Sequence, residues 1–162
     1  MSRGWLLANA LWLQAGWWLC VLGAEKPFLS MLVIAGLAVH LSLCPAVHAE
    51  VKALLLVTPV GCVLDSVLGA LGVFSFDTWP LPLWLVLLWL VLASGMRHSL
   101  AWADRHWQLG ALLGAVGGPL AYVGGAGLAN VDLPMGPLVT GLLLMPIWAV
   151  TLPLLVRLAV RC

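Results

Sequence analysis

The charged residues of this chain fall into short islands, and that spacing constrains the fold more than any other feature. There are seven Lys/Arg and six Asp/Glu. Eleven of these thirteen sit in the islands Arg3, Glu25-Lys26, Glu50 and Lys52, Asp77, Asp104-Arg105, Asp132, and Arg157 with Arg161; only Asp65 and Arg97 interrupt the apolar runs between them. Those runs approach the ~20 apolar residues that carry a helix across a ~30 Å hydrocarbon core. Hydrophobic residues make up 64% of the 162 and charged ones 8%, against roughly 25% charged in an ordinary soluble domain. Mean hydropathy is +1.12. A soluble globule of this size keeps too much of its surface in water to hide so many apolar side chains. A soluble enzyme and a disordered chain are excluded, and a net charge of +1 leaves no footprint for nucleic acid.

The composition predicts an all-α polytopic membrane protein, one domain over residues 1–162, built as a six-helix transmembrane bundle with short loops. Expected spans are about 5–22, 28–43, 53–74, 83–102, 107–128 and 138–156, with His48, Glu50 and Lys52 in a polar loop. The first span reads as a retained helix, not a cleaved signal peptide. It carries Asn9, Gln14 and several tryptophans, and it ends in a poor cleavage site at Leu22-Gly23-Ala24. Six spans place both termini on one side, with Arg3, Lys52, Arg97, Arg105, Arg157 and Arg161; Lys26 alone lies on the other. Basic residues accumulate in cytoplasmic loops, so both termini are expected in the cytoplasm.

In lipid, small residues let helices approach closely. Span five carries Gly110, Gly114 and Gly118 at intervals of four, and span three carries Gly61 and Gly69 on one face. These two spans are expected to form the centre of the bundle, with Gly36 off any stripe. Pro59, Pro119, Pro146 and Pro153 are expected to kink their helices. Trp79, Trp84, Trp102 and Trp107 fall where an interfacial belt is expected, while Trp12, Trp17, Trp18 and Trp89 lie deeper as packing bulk. Cys20, Cys44, Cys62 and Cys162 form no CxxC pair and read as small hydrophobes.

Polar side chains inside a bilayer are costly and need a reason. Arg97 is one such residue, near the end of span four; the pocket candidates are Asn9, Gln14, His40, Asp65, Ser66, His98, Ser99 and Tyr122. By depth they occupy the centre and the cytoplasmic half. They are expected to line one pocket open to the cytoplasm, with Asp65 at its floor and His98 near its mouth. Asp65 serves either as a hydrogen-bonded structural carboxyl or as a proton or cation site. No metal or cofactor is expected. His40 and His98 have compatible depths, but no carboxylate partner is evident beside either, and the haem-attachment motif CxxCH is absent. A Ser-His-Asp hydrolase is disfavoured by the depth difference between Asp65 and His98 and by the lack of a GxSxG elbow.

Five segments occur in order: Asn9-Ala-Leu-Trp-Leu-Gln14-Ala-Gly-Trp17, Leu64-Asp65-Ser66, Pro82-Leu-Trp84 with Leu88-Trp89, Arg97-His98-Ser99-Leu100-Ala101-Trp102, and Gly118-Pro119-Leu-Ala-Tyr122. On these the chain resembles the bacterial membrane-protein family catalogued as domain of unknown function 2878. The resemblance implies a multi-pass protein of the bacterial inner membrane. Such proteins are encoded near lipid-modifying enzymes, including cyclopropane-fatty-acid-synthase-like ones, which implies a role in membrane lipid chemistry. Three function classes follow as expectations. The first is an accessory or binding component in lipid modification, with membrane lipids and a cytoplasmic or membrane lipid-modifying enzyme as partners. The second is a small proton- or ion-coupled transporter or channel. The third is an intramembrane lipid-modifying enzyme that would use His98 and Asp65, with Glu50 as a further candidate.

Overall fold

The computed structural model describes residues 2–78 and 80–162, so the belt position expected for Trp79 lies outside the described residues. The chain is all-α. Its helices are α1 Arg3–Gly23, α2 Leu29–Leu43, α3 Val47–Ala70, α4 Leu83–Met96, α5 Trp102–Arg105, α6 Trp107–Leu128 and α7 Pro137–Val160. Local chemistry sets the ends. The Ser2 hydroxyl accepts from the Trp5 backbone N–H and caps α1. Pro27 and Pro45 separate the first three helices, Pro82 precedes α4, and Pro137 opens α7 where its missing N–H costs nothing. Gly136 supplies the positive φ of 77° that turns the chain into α7.

Four helices, α1, α3, α6 and α7, are long and apolar enough to cross a membrane; α2 and α4 are shorter apolar helices. Their outward faces are apolar as well: Leu7, Leu11, Met31, Leu55, Leu120 and Leu138 are all exposed. A surface of that kind is a lipid-facing one, and the chain is a membrane protein.

Two expected spans are corrected. The third helix begins at Val47 and not near Ala53, so Glu50 sits inside it, fully buried, instead of in a loop. It ends at Ala70; Gly72 takes φ 74°, and Val73 and Phe74 fold back into the core as a non-helical turn. The fourth helix stops at Met96, where the Leu100 N–H bonds back to the Gly95 carbonyl, and the four-residue α5 is a separate element.

The expected centre of the bundle is corrected too. The backbones of α3 and α6 do not meet; α6 packs most extensively on α7, α1 on α4, and α3 on α4. The glycines explain the pairing. A Cβ at Gly114 would strike the Trp148 carbonyl, and one at Gly118 the Trp148 ring. On α3, Gly61 receives the ring of Trp89, whereas Gly69 makes only ordinary contact with Phe76. Gly110 faces Ala103 of α5. Gly36 is not a neutral position, because a Cβ there would meet the Trp12 ring. The recurring device is a tryptophan laid over a glycine of the next helix. Trp89 and Trp148 then stack on each other, 5.6 Å apart and nearly parallel, joining α4 to α7.

Helix direction alternates, so Arg3, Lys52, Arg97, Arg105, Arg157 and Arg161 gather at one end, called here the basic end. At the opposite end the Ser75 N–H donates to the Asp132 carbonyl, and the Asn130 amide donates to Glu25.

Candidate functional site

The buried polar groups form two sites, one at the basic end and one beyond the middle of the bundle. Glu50 organises the first. It lies one turn into α3 on the face that continues through Leu54, Val57, Gly61 and Asp65. His40 arrives from the last turn of α2; Arg97 and His98 arrive from the turn after α4. His40 Nε2 lies 2.8 Å from Glu50 Oε1, and His98 Nε2 lies 3.1 Å from Oε2. Arg97 Nε is 3.3 Å from the same Oε2. The carboxylate thus accepts from two imidazole N–H groups and is ion-paired with Arg97. Arg97 spends its other arm on the Ala159 carbonyl at 2.8 Å, drawing in the end of α7. An ionised group buried this deeply persists only when paired and hydrogen-bonded, and Glu50 is both.

Trp5 closes the site. Its indole N–H donates to His98 Nδ1 at 3.1 Å, and its ring stacks over His40 at 6.0 Å. The donation decides the tautomer: an indole nitrogen can only donate, so His98 Nδ1 is an acceptor and the ring proton sits on Nε2, facing Glu50. Cys44 Sγ lies 3.9 Å from the same Nε2.

The expectation that neither histidine has a carboxylate neighbour is overturned, because Glu50 touches both. One ligand atom from each of His40, Glu50 and His98 lies within 4.8 Å of the others, the donor set of a two-histidine, one-carboxylate metal site. A metal-bound histidine normally donates its other ring N–H outward. Here the Trp5 bond runs the opposite way and leaves His98 Nε2 without a lone pair to give. The geometry is that of a proton-holding hydrogen-bond network.

Beside it, Asn9 joins α1 to the end of α4. Its amide donates to the Ser94 carbonyl at 3.0 Å, and its Oδ1 accepts from the Ser99 N–H at 3.1 Å and the Ser99 hydroxyl at 2.6 Å. The Trp12 N–H donates to the Ser94 hydroxyl at 3.0 Å.

The second site is Asp65. It is fully buried, and it accepts from Trp89 Nε1 at 2.7 Å and from the Tyr122 hydroxyl at 2.6 Å. Because α3 starts early, its midpoint falls near Thr58 and Pro59. Asp65 therefore lies toward the end far from the basic side, not at the centre of the span. It stands fifteen residues from Glu50 on one helix, about 22 Å at 1.5 Å per residue. The expectation of one cavity with Asp65 as floor and His98 as mouth is corrected accordingly. Among the described residues, separate hollows adjoin the two sites. One, about 270 Å³, lies between α1 and α2 and is bordered by His40 and Asn9. The other, about 250 Å³, is apolar and lies between α1, α4, α6 and α7, with Trp89 and Tyr122 in its wall. Gly114, Gly117, Gly118, Ala121 and Gly125 border that space, with Trp148 seated over Gly114 and Gly118.

Of the residues singled out in the sequence, Asn9, His40, His98 and Ser99 meet at the basic end, and Asp65 meets Tyr122. Gln14 lies exposed on the outer face of α1 and joins neither site. The Ser66 hydroxyl bonds the Cys62 carbonyl of its own helix at 2.8 Å. Glu50, Arg97 and Trp5 were not among the expected pocket residues. The helical period of α3 runs through Glu50 and would have found it; nothing in the sequence singles out Trp5. None of the curated proteins and none of the solved structures matches this chain. The model of the family described as "Protein of unknown function (DUF2878)" matches residues 6–154, nearly the whole chain, and the chain belongs to that family.

Proposed function

We propose that this protein is a binding or accessory component in membrane lipid modification, holding a lipid acyl chain inside the bundle for a cytoplasmic or membrane lipid-modifying enzyme. One observation carries the reading: the apolar cavity of about 250 Å³ bordered by the small residues of α6. It exceeds the ~150 Å³ engineered hollow that takes up a benzene, and its wall offers an acyl chain only apolar and aromatic contacts. In this reading the chain is one domain with six spans in a bacterial inner membrane. The fifteen-residue α2 and fourteen-residue α4 rise ~22 and ~21 Å and reach the interfaces through their flanking turns. Clustering of the basic residues at one end supports cytoplasmic termini.

The transporter reading rests on Asp65, but the buried face of α3 between the two polar sites carries Ala53, Leu54, Val57 and Gly61 with Thr58 as its one polar side chain, and a single hydroxyl makes no continuous path for an ion. An intramembrane enzyme would need a reacting group, and Glu50 is already engaged by two histidine donors and the Arg97 cation.

The test is the acyl-chain profile of membrane lipids in a deletion strain, complemented with the wild type or with Ala121→Trp, which fills the cavity. The wild type is expected to restore an altered profile and Ala121→Trp to fail while accumulating normally. A deletion strain with an unchanged profile refutes the reading.

A further inference from the structure

His40 and His98 share Glu50 but differ at their other ring nitrogen. His98 Nδ1 is taken by the Trp5 N–H. His40 Nδ1 has no hydrogen-bond partner among the described residues, and it is not among the sealed-off, unpaired polar atoms of the interior. Since His40 Nε2–H donates to the carboxylate, Nδ1 of the neutral ring carries a lone pair. His40 is 94% buried (6% exposed) and borders the hollow between α1 and α2. Asn9 borders the same hollow, and one of its two amide hydrogens is unused after its bond to Ser94. The polar end of this groove therefore offers one acceptor and one donor. Away from it the walls are apolar, and Val39 and Leu43 are more than half exposed on the lipid-facing side.

We infer that the α1–α2 groove is a binding site for a long-chain fatty acid entering sideways from the bilayer. The carboxyl O–H would donate to His40 Nδ1 and the carboxyl C=O would accept from Asn9. The acyl chain would leave past Val39 and Leu43. Glu50 acts as the positioning residue: its bond to Nε2 aims the free lone pair of His40 into the groove. The orienting logic is that of a carboxylate behind an imidazole, used here for recognition. A phospholipid ester has acceptors but no O–H and satisfies only Asn9. The site does not use the apolar cavity on α6, so this inference and the proposed function can fail separately.

The experiment is native mass spectrometry of the full-length protein released from phosphatidylcholine nanodiscs loaded with oleic acid or with methyl oleate, which lacks the O–H. Oleic acid is expected to be retained and methyl oleate not. His40→Gln keeps an N–H donor toward Glu50 and removes the acceptor at Nδ1; it should lower oleic acid retention by about tenfold, the effect of one lost buried hydrogen bond, with an unchanged melting temperature. Val39→Trp blocks the groove without touching the Glu50 network and should do the same. Equal retention of acid and ester, or wild-type retention in both variants, overturns the inference. So does retention that only Ala121→Trp abolishes, since the acid would then lie in the other cavity.

Discussion

Replacing Glu50 by Leu should be among the most damaging single substitutions in the chain. The side chain is fully buried, accepts from His40 and His98, and is ion-paired with Arg97. Leucine fits the volume but leaves two imidazole N–H donors without an acceptor and Arg97 without its counter-charge. Removing one partner of a buried ion pair costs about 3–5 kcal/mol, and each neutral donor left unsatisfied adds about 1–3 kcal/mol. Relief is available: Arg97 is 19% exposed and can swing toward the interface, and His40 can move its ring proton to Nδ1, whereas the Trp5 bond keeps the His98 proton on Nε2. The expected loss is therefore about 3–5 kcal/mol, at the Arg97 level and not the sum. The assay is SDS-induced unfolding of the detergent-purified protein, followed by tryptophan fluorescence. Arg97→Met should cost less than Glu50→Leu, because Glu50 keeps both histidine donors. The double variant should cost clearly less than the sum of the singles, since each removes the other's unpaired charge. Asp77→Ala, at an exposed loop position, should stay within about 0.5 kcal/mol. If Glu50→Leu unfolds with the wild type, or the double variant is strictly additive, Glu50 is not a buried shared acceptor and the basic-end site is refuted.

Gly118→Leu should overlap the Trp148 ring and Gly114→Leu the Trp148 carbonyl, each costing about 1–3 kcal/mol or more. Gly124→Leu, with open space around it, should be tolerated; equal melting temperatures for all three would remove the packing account. Asp65→Asn should be mild, at about 1 kcal/mol, because the amide oxygen can take the Trp89 N–H while the amide nitrogen donates to a reoriented Tyr122 hydroxyl. Asp65→Leu should be worse, and equal unfolding of the two variants would show that the Asp65 bonds contribute nothing. Reporter fusions at Cys162 and in the Asp77 loop should read cytoplasm and exterior respectively; a C-terminal reporter outside would defeat the six-span topology.

The all-α class, the membrane environment and the order of the helices are legible in the sequence because they depend on runs of residue type. A run of apolar side chains beside a charged island needs no knowledge of its neighbours to define a helix in lipid. The six apolar runs correspond to the six longer helices, with errors where polarity and helicity part. His48, Glu50 and Lys52 together have the polarity of a solvated loop; in the helix His48 and Lys52 face outward while Glu50 turns inward. Val73 and Phe74 were read as helix because they are apolar, although they pack as a turn.

Partnership was decided only by the tertiary structure. A glycine stripe announces that some helix will come close, but lipid is as apolar as the side chains and supplies no gradient to say which. Fit chose α7 for the stripe on α6 through Trp148, and α4 for Gly61 through Trp89. The same holds for the sites. Asn9, His40, His98 and Asp65 are each conspicuous as polar residues in apolar runs. That the first three gather around Glu50 and Trp5, while Asp65 stands about 22 Å away, follows from helix register and direction. Composition marks which groups must find partners in a bilayer; only the packed helices determine which partner lies within 3 Å.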